Sequence, residues 1–116
     1  MREHANNWLN EKIKVAGVLA CGLRFPDRKT IARSQSPQFT PIALENACRC
    51  ITDTFQVLQA NRFPQGLVRW VFEGYFLYGF IRPDGVSLAV LTRRSAEDVQ
   101  PADLETIVAE FHSLPS

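Results

Sequence analysis

The chain has 116 residues, of which 46% are hydrophobic and 22% are charged. Such a length fits one domain with a two- or three-layer core, and a second domain would not fit. The net charge of +1 argues against both a disordered polyelectrolyte and a strongly basic nucleic-acid binder. No apolar stretch approaches the ~20 residues of a membrane span. We therefore expect one domain over residues 1–116 that binds neither nucleic acid nor membranes.

Charge is distributed unevenly along the sequence. Residues 12–94 carry twelve basic and five acidic side chains, a net charge of +7. Residues 95–116 carry five acidic side chains and no Lys or Arg, a net charge of −5. The sequence therefore combines a basic body with an acidic C-terminal segment.

Cysteine usage indicates a reducing compartment. The three cysteines, Cys21, Cys48 and Cys50, are too few and too odd in number for a secreted disulfide framework. Residues 18–21 loosely resemble a lipoprotein cleavage box, but the apolar run before them is shorter than the core of an export signal. We expect a cytoplasmic protein.

Hydrophobic periodicity and turn residues divide the chain into short helices and strands. Apolar residues spaced three and four apart predict helices, whereas runs of β-branched and aromatic residues predict strands. The sequence predicts, in order, a helix over 3–12, strands over 15–24 and 30–33, a helix over 41–60, two strands within 67–82, a strand over 86–92 and a helix from Pro101.

A few residues set the boundaries of these elements. Thr40 offers a capping hydroxyl and Pro41 suits the first helical position, so the middle helix should begin there. Glu73-Gly74 divides a run that is too long for one strand and predicts a tight turn. Two hairpin units with helices between and after them imply an α+β fold, a three-layer α/β/α domain around a five-stranded antiparallel sheet, in the order α-β-β-α-β-β-β-α.

The residues that catalysis or metal binding needs do not come together in this sequence. Its two histidines, His4 and His112, have no cysteine or carboxylate at ligand spacing. Cys48 and Cys50 point about 200° apart on a helix, so their thiols cannot share an ion. Glu97-Asp98 falls in a predicted loop, and no phosphate-binding or hydrolase motif occurs. We expect no enzyme, no metal and no cofactor.

The predicted middle helix carries two stripes. One stripe lies within about 60° of Leu44 and should face the sheet. Its members are Leu44, Ala47, Cys48, Ile51, Phe55 and Leu58. A second stripe of mostly small residues lies beside the first. It is either the margin of a broad core face or a contact face for a helix of another subunit. Its members are Ala43, Cys50, Thr54 and Val57.

The strand after the middle helix has no obvious neighbour on its far side. Open edges favour pairing with another chain, and this run contains no proline and only two charges. A twofold axis would pair two such strands and bring the second helical stripe against its copy. The strand residues predicted at this dimer interface are Leu67, Val68, Arg69, Trp70, Val71 and Glu73.

The order of elements, with Val15-Ala16-Gly17-Val18 opening the first strand and a long middle helix after the hairpin, resembles the roadblock/dynein light chain family. The resemblance spans roughly residues 8–114. It implies homodimers or heterodimers in which the strand after the middle helix pairs with its mate. It also implies a scaffold or regulator of Ras-like small GTPases or of motor complexes. The first hairpin departs from the family in having Pro26-Asp27-Arg28-Lys29 rather than Asp-Gly, which leaves its turn type open.

We therefore expect a cytoplasmic, homodimeric protein-interaction module, with a small GTPase as a further partner. The alternative is a sensor-like domain, because an antiparallel sheet with helices can also enclose a small molecule. An empty dimer would favour the interaction module, and a bound small molecule after purification would favour the sensor.

Overall fold

Three helices and five strands make up the described parts of the computed structural model, which are residues 2–62, 67–94 and 99–115. Their order is the predicted one, α-β-β-α-β-β-β-α. The elements are α1 (Glu3–Lys12), β1 (Val18–Arg24), β2 (Thr30–Ser34), α2 (Pro41–Ala60), β3 (Val68–Val71), β4 (Tyr75–Ile81), β5 (Ser87–Arg93) and α3 (Pro101–Ser113).

The five strands form one antiparallel sheet in the spatial order β2-β1-β5-β4-β3. The last strand, β5, lies in the centre because β1 of the first hairpin pairs with one side of it and β4 of the second with the other. Helix α2 covers one face of the sheet, and α1 and α3 cover the opposite face. The predicted three-layer architecture is confirmed, and β2 and β3 are the two edge strands.

The first strand begins three residues later than the apolar run predicted. Residues 13–17 continue α1 as a series of turns, in which the N–H of Lys14 donates to the carbonyl of Glu11 and that of Val15 to Lys12. Gly17 then takes a φ of 90°, which a β-branched residue would not tolerate. Strand β1 therefore starts at Val18. The predicted turn over 63–66 and the loop containing Glu97-Asp98 lie outside the described residues.

Helix α2 begins where the sequence predicts. The hydroxyl of Thr40 accepts a hydrogen bond from the N–H of Ala43 at 3.2 Å, and Pro41 occupies the first turn. The predicted core stripe packs against the sheet. Leu44, Cys48, Ile51 and Phe55 are each no more than 2% exposed, and the remaining two members, Ala47 and Leu58, are half-buried at its margin.

Small residues in a row across the sheet let α2 approach closely. Gly22 of β1 and Gly79 of β4 both lie opposite Ala89 of the central strand. A Cβ at Gly22 would lie 3.0 Å from the sulfur of Cys48, and one at Gly79 would lie 2.9 Å from Ile51. The helix therefore fills the space that side chains at these two positions would occupy.

The opposite face is closed by α1 and α3, which polar contacts hold to each other. The carboxylate of Glu110 on α3 pairs with the ammonium of Lys12 at 2.6 Å and accepts from the indole N–H of Trp8 at 2.9 Å. Both contacts hold the pKa of Glu110 below its usual range. One acidic residue of the C-terminal segment thus binds the basic body, as the charge distribution along the sequence suggests.

Arg82 anchors the end of α3 to the turn between β4 and β5. It is 6% exposed, and its guanidinium donates to the carbonyls of Phe111 at 2.8 Å and Leu114 at 2.7 Å. The same group pairs with Asp84, which holds the pKa of that carboxyl below its usual value. A buried charge needs such partners, so Arg82 satisfies the free carbonyls of the helix end while its own charge is compensated.

The seating of α2 generates a stability prediction. Gly79→Ala should lower the free energy of unfolding by about 1–3 kcal/mol, because the added methyl overlaps Ile51 and the well-packed interface must shift. Urea unfolding followed by circular dichroism measures this loss.

A double-mutant cycle identifies the cause. Ile51→Ala removes the two Ile51 carbons that the methyl would meet and leaves a ring carbon of Trp70 at 3.1 Å. Gly79→Ala should therefore cost less in that background. Ile51→Val keeps both carbons and is the matched control. Equal costs of Gly79→Ala in all three backgrounds would show that the methyl does not meet Ile51.

Candidate functional site

The second stripe of α2 lies at the surface, as a contact face requires. Cys50 and Val57 are exposed and Thr54 is half-buried. These three residues line a shallow cleft of about 350 Å³. Ala43 is also exposed, but it lies near the start of the helix and does not line this cleft. The structure thus brings three of the four predicted residues together.

The outer side of β3 carries free backbone groups. The N–H of Phe72 donates to the carbonyl of Tyr75 at 3.0 Å, and Trp70 lies opposite Leu77 in the same ladder. Because hydrogen-bonded and non-bonded positions alternate in an antiparallel pair, Val68, Trp70 and Phe72 direct their backbone groups toward β4. Arg69 and Val71 then direct theirs away from the sheet, where no described strand lies.

The β3 side chains divide between the two faces of the sheet. Val68 and Trp70 are half-buried and pack against the core beneath α2. Arg69 lies on the opposite face, with its guanidinium 4.7 Å from the ring centre of Phe76. Val71 is 52% exposed. Val68 and Trp70 therefore contribute mainly to their own core, and a strand pairing with β3 would meet the backbone of Arg69 and Val71.

Glu73 lies at the tip of the β3–β4 hairpin, in the turn that the sequence predicts. Gly74 beside it has a φ of 106°, which glycine adopts without strain. The rings of Phe72 and Tyr75 stack at 4.8 Å across the turn. Glu73 itself is exposed, so its carboxylate is accessible at the end of the edge strand.

The α2 stripe and the β3 edge lie on the same side of the molecule. Glu45 of α2 lines a cleft beside β2, so it marks the flank of the helix that faces β2. At about 100° per residue, Cys50 and Thr54 lie on the opposite flank of the buried stripe. Since β2 and β3 are opposite edges of the sheet, that flank faces β3. Leu58, on the same flank, packs in one cluster with β3.

Exposed apolar side chains concentrate on these two elements. Among the described residues, the large hydrophobic side chains that remain exposed all belong to α2, to β3 or to the residues next to β3. Exposed apolar surface that concentrates on neighbouring elements is typical of interaction sites. The five residues and their exposed fractions are Ile42 at 72%, Val57 at 61%, Leu67 at 54%, Val71 at 52% and Phe72 at 39%.

The thiols differ sharply in their surroundings. Burial raises the pKa of both Cys21 and Cys48 to about 12, whereas Cys50 is exposed.

No group of three or more His, Cys, Asp or Glu side chains comes together among residues 2–62, 67–94 and 99–115. Over the same ranges, no helix is long and apolar enough to cross a bilayer.

Sequence reasoning did not find a second surface, at the β2 edge. Arg2, Arg28, Lys29 and Arg33 line one cleft with β2, although they come from three separate parts of the sequence. The only sequence signal is the adjacent pair Arg28-Lys29 in the hairpin turn. The net charge of the chain does not indicate where its basic residues cluster in the structure.

The chain is similar to proteins of known structure in fold but not in sequence. No family model matches the sequence, and no curated protein matches it. The structure superimposes on a Roadblock/LC7 domain from Streptomyces avermitilis with a TM-score of 0.69 and 14% identity, covering 93% of this chain and 91% of that one. The chain has the roadblock fold. It is also similar to Myxococcus xanthus MglB, with a TM-score of 0.63 and 15% identity over 95% and 93% of the two chains. At these identities the likeness shows the fold alone, and it confirms the fold that the order of elements predicted.

In this version of the roadblock fold, the first hairpin turns without glycine. The N–H groups of Phe25 and Arg28 donate to the carbonyls of Lys29 and Phe25, both at 2.9 Å. Arg28 takes the left-handed conformation, with a φ of 72°. Asp27 stabilises the turn by accepting the N–H of Lys29 at 3.0 Å. The turn therefore places Arg28 where hairpins of this kind usually have glycine.

The thiol environments predict selective modification. At pH 8 a thiol with a pKa of about 12 is ionised in only about one molecule in ten thousand. In dilute, monomeric protein, iodoacetamide should therefore modify Cys50 first and leave Cys21 and Cys48 intact while the protein is folded. Mass spectrometry should show one adduct without urea and three with it. In the control variant Cys50→Ser, the native protein should gain none over the same period. Early modification of Cys21 or Cys48 would contradict their burial.

Proposed function

We propose that this chain is a non-enzymatic protein-interaction module that forms a homodimer through β3 and the second stripe of α2. We further propose that the dimer acts in the cytoplasm as a scaffold or regulator of a Ras-like small GTPase or a motor complex. The observation that carries the proposal is the concentration of exposed apolar side chains on α2 and around β3. Burying them against a second copy would remove them from water.

A twofold axis accounts for both surfaces at once. Two β3 strands pairing antiparallel would satisfy the outward backbone groups of Arg69 and Val71 and join two sheets into one of ten strands. With Val71 on the axis, Arg69 of one copy lies opposite Glu73 of the other, so opposite charges meet. The flank of α2 that bears Cys50 and Val57 then faces its copy.

The GTPase is proposed from the family resemblance, which the roadblock fold supports at the level of architecture. A GTPase regulator of this kind needs no catalytic residues of its own, because it can act by binding and positioning a switch region. The β3 edge and the second stripe of α2 are consistent with such a role, because both are surfaces that can contact another protein. The proposal commits to a class of partner and not to one GTPase.

The dimer is tested by light scattering after size exclusion. We expect the mass of two chains at micromolar concentration. Val57→Arg should weaken the dimer at least tenfold, about 1.4 kcal/mol, because the axis would bring two cations together. Arg69→Pro should weaken it similarly, since it removes an outward N–H donor from the edge strand.

Two matched variants separate dimerisation from folding. Gln56→Arg adds the same charge at an exposed position on the other flank of α2 and should leave the dimer intact. Val68→Pro removes an N–H that is directed at β4 and should lower the melting temperature instead. A wild-type protein that stays a folded monomer at these concentrations would overturn the homodimer.

The partner class is tested with the dimer as bait. Wild-type protein and the Gln56→Arg control should each capture a small GTPase from a lysate of the native organism, in a manner that depends on whether GDP or a GTP analogue is added. Capture that is indifferent to the nucleotide would contradict a GTPase-regulating role and leave the dimer proposal standing.

The sensor alternative has a specific location in the structure. Leu67, Phe80, Leu104 and Val108 line an apolar cleft of about 430 Å³ between the β3 side of the sheet and α3. Native mass spectrometry of the purified dimer distinguishes the two functions. A bound small molecule of defined mass would favour the sensor, and two empty chains would favour the interaction module.

A further inference from the structure

The outer edge of β2 also presents free backbone groups. The N–H of Phe25 donates to the carbonyl of Lys29, and the N–H of Gln35 donates to the carbonyl of Leu19, both at 2.9 Å. These bonds fix the alternation along the strand, so Thr30, Ala32 and Ser34 direct their N–H and carbonyl groups away from β1. The carbonyl of Ala32 already accepts a hydrogen bond from the guanidinium of Arg33 at 2.7 Å. No strand among the described residues pairs with this edge.

A cleft of about 1120 Å³ follows this edge. Thr30 and Ala32 point toward the α2 face of the sheet, and Ile31 and Arg33 point toward the α1 face. All four line the cleft. Because residues from both faces contribute, the cleft runs along the edge of the sheet and not over one side of it. Helix α1 forms one wall, and the first turns of α2 form the other, at Pro41 and Glu45.

The cleft is basic. Four of its lining residues are cationic, and the two anionic ones are Asp27 and Glu45. Asp27 already pairs with Arg2 at 3.1 Å. Within the described part of the chain, no acidic side chain pairs with Arg28 or Lys29, and both are exposed. Uncompensated positive charge therefore lies beside the open backbone edge.

We propose that this cleft binds an extended acidic segment of a partner protein, which adds to the sheet as a further strand beside β2. The backbone of the segment pairs with Thr30, Ala32 and Ser34, and its carboxylates contact Arg28 and Lys29. The guanidinium of Arg33 is already engaged by Asn6, Asn10 and the carbonyl of Ala32. This is the general mode of strand addition, in which backbone pairing gives affinity and side chains give specificity. A polyphosphate chain or nucleic-acid backbone fits less well, because it has acceptors for the cations but no donors for the outward carbonyls.

The site does not depend on the dimer. It lies at the edge of the sheet opposite to β3, so Val57→Arg should bind the same ligand with unchanged affinity. A failed dimer test and a failed strand-addition test are therefore distinguishable.

The first experiment uses fluorescence anisotropy with a labelled peptide in which glutamate alternates with valine. The full chain should bind it at low salt, and a lysine–valine peptide of equal length should not bind. The double variant Arg28→Glu, Lys29→Glu should weaken binding at least tenfold. Absence of binding by the glutamate peptide would overturn the proposal and leave the cations as charges that only protect the edge.

The second experiment tests strand pairing itself. The same peptide with methyl groups on the backbone nitrogens that face β2 cannot donate, and it should bind at least tenfold more weakly. Ala32→Pro removes an outward donor from the protein and should have a similar effect, whereas Ala32→Ser keeps the donor and should not. If Ala32→Pro fails to fold, the methylated peptide still decides the question.

Competition with inorganic polyphosphate identifies the ligand class. Under the proposal, polyphosphate displaces the peptide only weakly, and the peptide alone shifts the amide resonances of Thr30, Ala32 and Ser34. Unchanged binding of the methylated peptide, or displacement by polyphosphate at lower concentration than by unlabelled peptide, would show a surface for polyanions in general and overturn strand addition.

Discussion

The close contact between α2 and the sheet is the constraint on which the rest of the structure depends. A five-stranded sheet has two faces to bury, and on one of them a single helix covers β1, β5 and β4. It can do so only because Gly22 and Gly79 leave room for Cys48 and Ile51. With α2 seated in the middle of the sheet, its second stripe is left at the surface on the β3 side. Among the described residues, no strand pairs with the outer edges of β2 and β3. Both candidate interaction surfaces follow from that seating.

The two edges show contrasting chemistry in one sheet. The β3 edge is bordered by Leu67, Val71 and Phe72, which are all partly exposed to water, and it suits an apolar, symmetric contact. The β2 edge is bordered by cations, which repel a second copy of the same edge and attract an acidic chain. Unpaired edge strands can pair with other chains and cause aggregation. Because the β2 edge is charged and the β3 edge is apolar, each edge favours a different kind of neighbour.

Much of this fold is predictable from local sequence. Thr40-Pro41 and Glu73-Gly74 set boundaries that depend only on neighbouring residues, so the helix start and the turn are where the sequence predicts. The start of β1 is not, because Val15 packs against the core from a turn before the strand, so the apolar run begins earlier than the strand does. The direction of each backbone group on β3 also depends on the register set at the turn. The sequence therefore located the edge strand. It could not show that Arg69 and Val71 are the residues whose backbone groups face outward. The basic cleft depends on α1 and α2 meeting β2, which no local pattern records.

The positions of the edges also set a length scale for any assembly. In a dimer joined through β3, the two β2 strands end a ten-stranded sheet, and nine spacings of about 4.8 Å separate them by roughly 43 Å. A flexible linker has a root-mean-square span of about 5–6 Å times the square root of its residue number, so two tethered acidic segments occupy both ends of one dimer best with roughly 60 residues between them. Fewer than about 13 residues cannot span the distance even when fully extended. Partners with shorter tethers would cross-link separate dimers, and linker length alone would then decide between a closed bivalent complex and an open polymer.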